Sequence, residues 1–274
     1  MGNGMKFSVL LSIYHKEKVE YFDRAMKSIW DEQTVKPNEI VLIEDGKLTD
    51  ELYKTIEKWK NKLHDALKII PLEYNRGLGE ALNVGLSKCR YALVARMDTD
   101  DVALPDRFEK QLQVFKSYDI DICSSWVSEF ELTENNIASY RKLPEKHHQL
   151  VTFSKKRNPL NHPAVMYKKA IVQSAGGYKD LTWFEDYYLW VRVIVNGGKL
   201  YNIQEPLVNM RAGYAQLERR GGFKYAMSEV RLQKKFLDLG FINIFEFIRN
   251  ISIRFTSRVV PKYILKKIYS KLRT

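Results

Sequence analysis

Over its first half the chain alternates short apolar runs rich in β-branched residues with amphipathic stretches, and this rhythm constrains the fold more than any other feature. "KFSVLLSIY" is a continuous buried-strand pattern, "VEYFDRAMKSIWDEQ" carries Phe22, Ala25, Met26, Ile29 and Trp30 at helical spacing, and "PNEIVLIEDG" returns to strand. "LTDELYKTIEKWKNKLHDA" predicts a second helix, with Asp50 and Glu51 in the first turn where the helix dipole favours carboxylates. "LKIIPLE", "GLGEALNVGLSKC" and "YALVARMD" follow as strand, helix and strand. Strands joined through helices run parallel, so the reading is an α/β fold: a mixed, mainly parallel sheet flanked by helices. Ligands of such sheets lie beyond the carboxyl ends of the strands, where the strand order switches.

That rule gives meaning to the residues closing three of the predicted strands: Tyr14 and His15, then Glu44 and Asp45, then Asp98 to Asp101. Crowded carboxylates repel one another and either stay in solvent or hold a cation. In "ARMDTDD", Asp98 and Asp100 flank Thr99, so in an extended chain they point the same way and can share a divalent metal. Asp101 is expected to point elsewhere, as a structural residue. "NRGLGEALNVG" places Gly77 and Gly79 ahead of a helix but lacks the third glycine of a dinucleotide loop. Two uses remain open for it: a phosphate contact at the helix N-terminus, or a tight entry for a helix packing Ala81, Leu82 and Leu86 on the sheet.

The chain has 45 Lys and Arg against 33 Asp and Glu, a formal charge of +12, which points to a polyanionic partner. Much of the excess lies in "FINIFEFIRNISIRFTSRVVPKYILKKIYSKLRT", with eight cations against one Glu, interleaved with large apolar residues and interrupted by Pro261. A basic amphipathic tail of this kind suits the anionic surface of a membrane. No recognised nucleic-acid module accompanies the charge, so nucleic acid is not the expected partner. Cys89 and Cys123 are too few for a disulfide framework or a four-ligand zinc site and read as small buried residues of a protein in a reducing compartment. "FSVLLSIY" is too short for a membrane span and lacks a cleavage site, and Lys6 stands where a myristoylation signal wants Ser or Thr. The expectation is a cytoplasmic protein, peripheral on the inner face of the plasma membrane.

From about Phe7 to about Gly222 the chain resembles the nucleotide-sugar glycosyltransferases of inverting family 2, which have the GT-A fold. The resemblance rests on "SVLLSIYHKE", "PNEIVLIEDG", "NRGLGEALNVGL", "ARMDTDD", "LPDRF", "NHPAVMYKK" and "FEDYYLWVR", in the family's order and approximate spacing. Within the family it is most similar to bacterial enzymes of O-antigen and exopolysaccharide assembly, particularly β1,3-galactosyl- and glucosyltransferases with a D-x-D-D motif. The resemblance implies a hexose moved from a UDP-sugar, UDP-galactose or UDP-glucose, to a hydroxyl of a polyprenyl-diphosphate-linked saccharide with inversion. It divides the chain into a catalytic domain, residues 1–222, and basic C-terminal helices, residues 223–274.

By the same resemblance Asp100 is the direct ligand of Mn²⁺ or Mg²⁺, with Asp98 and Thr99 near the ribose or the outer shell of the metal. Asp45 accepts from the uracil N3–H, Ser12 and Tyr14 frame the base, and Arg76 and Asn83 are candidates for diphosphate and ribose contacts. Inversion needs a base opposite the leaving group, and Asp186 in "TWFEDYYLWVRV" matches that role; as first-turn carboxylates, Asp186 and Glu185 also suit the helix dipole. Trp183 and Phe184 offer a platform for a sugar ring, Glu185 is a candidate for the acceptor side, and His162 in "NHP" is a candidate contact to the acceptor or its phosphate. Arg211, Arg219 and Arg220 lie in a Gly-flanked segment suited to closing over the diphosphate. The family's metal-binding His near that segment is missing here. Two other readings use the same fold: a nucleotidyltransferase, which would not need an Asp186-type base, and a non-catalytic sugar-nucleotide-binding protein, which would not need the acids.

Overall fold

The structure, a computed structural model, describes residues 4–212 and 222–259 of the chain. The predicted alternation is present as β1 (Phe7–Ile13), α1 (Val19–Trp30), β2 (Glu39–Glu44), α2 (Asp50–Leu63), β3 (Leu67–Pro71), α3 (Leu78–Lys88) and β4 (Leu93–Arg96). Next come β5 (Val102–Ala103), α4 (Arg107–Ser117), β6 (Ile122–Phe130), β7 (Ile137–Arg141), α5 (His147–Ser154), β8 (Met166–Lys168), α6 (Lys169–Ser174) and α7 (Glu185–Val195). β9 (Leu200–Arg211), α8 (Phe223–Asp238) and α9 (Ile244–Val259) complete the described elements.

Among the described residues these strands form one sheet, ordered β3, β2, β1, β4, β8, β6, β9, β5, with β7 added along β6. The parallel part is β3, β2, β1 and β4; β8 is antiparallel to both of its neighbours, while β6 and β9 run parallel. Order switches at β1, because the chain lays β2 and β3 on one side of it and then returns to place β4 on the other. The carboxyl ends of β1, β2 and β4 therefore share one edge beside the switch point.

Both faces of the parallel part are buried, which explains the near-continuous apolar runs. Phe7, Val9, Leu11 and Ile13 of β1 pack with Phe22, Met26 and Ile29 of α1 and with Trp59 of α2, whereas Leu10 packs on the other face with Leu82 and Leu86 of α3. A Cβ on Gly85 would stand 2.3 Å from a Leu10 methyl, so glycine there is what lets α3 close on β1. A third cluster joins Tyr187, Tyr188 and Val191 of α7 to Tyr225, Leu232 and Phe236 of α8 and to Ile242. The C-terminal helices thus share a core with the helix that carries Asp186. Among the described residues no helix is long and apolar enough to cross a membrane. Arg219, Arg220 and Pro261 lie outside the described residues.

Candidate active site

β4 ends at Arg96, and the acidic segment that follows crosses the carboxyl edge of the sheet to reach β5, which pairs with β9. One oxygen from each of Asp98, Asp100 and Asp101 lies within 4.8 Å of the others. Arg96 makes this crowding tolerable: its buried guanidinium donates from Nη1 to Asp98 Oδ2 at 2.6 Å and from Nη2 to Oδ1. Behind it, Arg107 Nη2 donates to the Arg96 carbonyl at 2.7 Å and ties α4 to the end of β4. Burial, with repulsion from Asp98 and then Glu17, pushes the Asp100 carboxyl up to about 7.

Asp101 corrects the sequence reading that turned it away from the pair. Its Oδ1 accepts the Arg211 backbone N–H at 2.7 Å, and its buried Oδ2 has no partner among the described residues. An orphaned carboxylate oxygen beside two further carboxylates is the hard-oxygen donor set that Mn²⁺ or Mg²⁺ takes, so these residues fit a divalent cation. Thr99 is also placed differently from expectation: it is 5% exposed and donates from Oγ1 to Glu17 Oε2 at 2.5 Å. Instead of facing a ribose, its hydroxyl fastens the acidic segment to the loop after β1, across the switch point. Arg211 corrects the mobile-segment reading, because it ends β9 with Nε donating to the Asp100 carbonyl at 3.2 Å and its guanidinium 3.7 Å from the Tyr21 ring centroid.

Along the same edge, Ser12 lies near the end of β1, with Tyr14 just beyond it and exposed. Asp45 is drawn beside them, since its backbone N–H donates to the Ile13 carbonyl at 2.8 Å. The Asp45 carboxylate accepts the backbone N–H of Arg76 at 2.7 Å and of Gly77 at 3.1 Å, and so fixes the loop that opens α3. Each oxygen retains a lone pair for a further donor. Arg76 pairs with Glu80 at 3.0 Å and lies over Tyr74. Asn83 is a correction: its amide both accepts from the Tyr178 N–H and donates to the Tyr178 carbonyl, each at 2.7 Å, so it pins a loop and is not aimed at a nucleotide.

α7 opens on Glu185 and Asp186. Asp186 Oδ1 accepts the Tyr187 N–H, and Oδ2 accepts from the Asn158 side-chain amide at 2.7 Å. Burial raises the Asp186 carboxyl above its ordinary range, against the pull of Asn158 and the Tyr187 N–H, while burial and Asp186 push Glu185 up to about 7. Trp183 stands just ahead with φ of 72°, a left-handed conformation that bulky residues adopt rarely and mostly at functional sites. Its exposed ring lies 5.3 Å from that of Tyr225 on α8. His162 Nε2 is 2.8 Å from the Tyr178 hydroxyl, and burial holds the imidazole well below its usual range, hence neutral.

A cleft of about 980 Å³ joins these groups: Asp98, Asp100 and Asp101 line it together with His162, Trp183, Glu185 and Asp186. Ser12, Tyr14 and Asp45 are not in its wall but on the adjoining stretch of the sheet edge, with Arg76 in the loop that opens α3 and Asn83 within α3. Sequence reasoning missed Glu17, Arg96, Asn158 and Tyr178, and also the contribution of α9, whose Arg249, Ile253 and Arg254 line the cleft. Arg96 alone left a signal, as an arginine inside an apolar strand end immediately before the acids.

Residues 8–173 match the glycosyl transferase family 2 domain. Over 268 residues the chain is 41% identical to the UDP-Gal:alpha-D-GlcNAc-diphosphoundecaprenol beta-1,3-galactosyltransferase of Escherichia coli, covering 97% of this chain and 96% of that one. It is 37% identical over 267 residues to the amylovoran biosynthesis glycosyltransferase AmsE of Erwinia amylovora, covering 97% and 99% of the two chains. Among solved structures, S. aureus TarS 1–349 in complex with UDP-GlcNAc matches with a TM-score of 0.69 at 17% identity, over 93% of this chain and 74% of that one. Mannosyltransferase PcManGT from Pyrobaculum calidifontis, in complex with GDP-Man and Mn²⁺, matches with a TM-score of 0.61 at 13% identity, over 97% and 80%. The structural matches carry the fold, GT-A, and the sequence matches carry the rest: the chain belongs to glycosyl transferase family 2 and is a glycosyltransferase.

Proposed function

We propose that the protein transfers a hexose, galactose in preference to glucose, from its UDP carrier to a hydroxyl of a saccharide held on a polyprenyl diphosphate, with inversion at the anomeric carbon. The observation that carries this reading is the meeting, in one cleft, of a cation-binding acid cluster and a buried carboxylate held in place by Asn158. The activity of the Escherichia coli relative, a beta-1,3-galactosyltransferase acting on alpha-D-GlcNAc-diphosphoundecaprenol, supports galactose as the sugar and a lipid diphosphate as the acceptor's carrier.

Asp98, Asp100 and Asp101 would hold Mn²⁺ or Mg²⁺. The ion supplies Lewis-acid stabilisation of the negative charge that develops on the departing diphosphate. Tyr14 offers a stacking face for the base, and the remaining lone pairs of Asp45 can accept its imide N–H. Asp186 takes the proton of the acceptor hydroxyl as that oxygen bonds to the anomeric carbon and the bond from carbon to the diphosphate oxygen breaks, releasing UDP. A positioned base contributes roughly 10²- to 10⁴-fold to such a step. Asn158 orients that carboxylate and opposes the rise that burial imposes on it.

The exposed apolar residues Ile244, Phe245, Ile248 and Ile253 on α9 support peripheral attachment to the cytoplasmic face of a membrane, together with the cations of the C-terminal tail. The test is a transfer assay with UDP-galactose, UDP-glucose and GDP-mannose, with and without Mn²⁺, on an N-acetylglucosamine acceptor carrying a diphosphate and an alkyl chain. Metal-dependent galactosyl transfer giving a β linkage is expected. Transfer from GDP-mannose alone, or full transfer in chelator, would refute the donor or the metal assignment.

A further inference from the structure

The wall of the cleft nearest Asn158 is basic, and no catalytic role described above uses it. Arg141 and Lys142 at the end of β7, Lys156 and Arg157 in the turn after α5, and Arg249 on α9 all line the cleft. They come from three elements far apart in sequence, and α9 is clamped to bring them together. Asn250 donates from Nδ2 to the Lys155 carbonyl at 2.7 Å, and Lys155 Nζ pairs with Glu246 at 3.0 Å. Arg249, next to Asn250, is thereby held at the turn that carries Lys156 and Arg157.

Charge pairing separates these cations from an ordinary solvated face. Arg141 is paired with Glu129 at 2.7 Å, but Lys142, Lys156, Arg157 and Arg249 have no carboxylate within ion-pair distance among the described residues. Lys142 rests over the Trp126 ring, and Arg249 donates only to the neutral amide oxygen of Asn250, at 3.0 Å from Nη2. Arg249 also feels the charge of Glu246 one turn back, but among the described residues no ion pair neutralises these four cations, and positive charge gathered at one cleft favours a polyanion.

We infer that Lys142, Lys156, Arg157 and Arg249 form a subsite for the diphosphate of the acceptor, distinct from the acid cluster that would serve the diphosphate of the donor. The inference rests on the lipid-linked acceptor reading and deepens it. Arg157 directly precedes Asn158, which holds Asp186. A diphosphate at Arg157 therefore places the first sugar it carries at the base, which is what an acceptor glycosylated one ring away from its phosphate requires. Ile253 lines the same cleft, and Phe245, at i−4 from Arg249 as Ile253 is at i+4, is an exposed apolar residue on the same side of α9. Base, cations and an apolar side chain thus line one cleft, as the hydroxyl, diphosphate and hydrocarbon of such an acceptor require.

The experiment uses the full chain with saturating UDP-galactose and three acceptors: N-acetylglucosamine α-linked to an alkyl diphosphate, to an alkyl monophosphate, and directly to the alkyl chain. The wild type is expected to prefer the diphosphate. In Arg157→Ala with Arg249→Ala, KM for the diphosphate acceptor should rise about 10- to 100-fold, as loss of hydrogen bonds to a charged group predicts, with KM for the neutral glycoside unmoved. Arg157→Lys should recover part of the loss. Lys142→Glu, on a different element, should give the same split if Arg249→Ala disturbs α9. An equal loss on the neutral glycoside, a raised KM for UDP-galactose, or no change would each overturn the subsite. Wild-type transfer indifferent to the phosphates also overturns it while leaving the transferase intact. Hydrolysis of UDP-galactose without transfer to any of the three acceptors would overturn the lipid-linked reading itself, and the subsite with it.

Discussion

The Asn158 side-chain amide donates to Asp186 Oδ2 at 2.7 Å, joining the turn after α5 to the first turn of α7. Burial raises the Asp186 carboxyl and this hydrogen bond lowers it. Removing the donor in Asn158→Ala should therefore raise it further. Because a base must be ionised to work, the acid limb of kcat/KM should move to higher pH, with turnover recovering toward wild type in alkaline buffer. Asp186→Asn should instead lose roughly 10²- to 10⁴-fold at every pH. A pH profile of Asn158→Ala superimposable on that of the wild type would remove Asn158 from the mechanism, and unchanged turnover in Asp186→Asn would remove the base.

Asp101 carries a buried oxygen without a partner and another that accepts the Arg211 N–H. Asp101→Asn keeps an acceptor for that N–H and removes a carboxyl whose ionisation burial, and then the neighbouring Asp100 and Asp98, oppose. In chelator-treated protein its Tm should rise above that of the wild type, while the further rise on adding Mn²⁺ should shrink. Asp100→Ala should lose the Mn²⁺ response altogether. A lower Tm for Asp101→Asn without metal would mean that the charge supports the fold instead of straining it.

The parallel part of the sheet was legible in the sequence because both of its faces are buried, so β1, β2 and β4 appear as unbroken apolar runs whatever packs on them. The placement of Asp100 and Asp186 at the cleft was legible for a related reason, since one follows a strand end and the other lies at a helix start. What could not be read are partnerships across the chain: Thr99 with Glu17 over 82 residues, Asn83 with Tyr178 over 95, Asn158 with Asp186 over 28. Thr99 and Asn83 sit in nucleotide-binding patterns, and only the tertiary partner turns their side chains to structural work. The depth of Arg96 is likewise a property of the packed sheet, so its position before the acids was a signal but its pairing with Asp98 was not legible.

Asn83 tests that distinction. Both polar ends of its amide are engaged by the Tyr178 backbone, and Tyr178 in turn reaches His162. Asn83→Ala would leave that backbone N–H and carbonyl without partners, at a cost of about 1–3 kcal/mol in unfolding free energy. KM for the UDP-sugar should stay at the wild-type value. A raised donor KM with unchanged stability would restore Asn83 to the nucleotide site.

Glu185 gives a pH dependence of stability with a definite sign. Its carboxyl is pushed up from 4.5 to about 7 in the folded protein, chiefly by burial, so between those values the folded state holds a proton that the unfolded state has released. The stabilisation this provides is complete below the unfolded value and is lost as the pH rises through the folded one. Glu185→Gln cannot ionise and escapes the loss. In urea unfolding the variant should match the wild type at about pH 4 and exceed it at about pH 8, the gap opening between the two values. A gap of constant size across that range would assign the effect to packing beside Gly79 at the α3 entry, where an added Cβ would stand 3.5 Å from the Glu185 side chain.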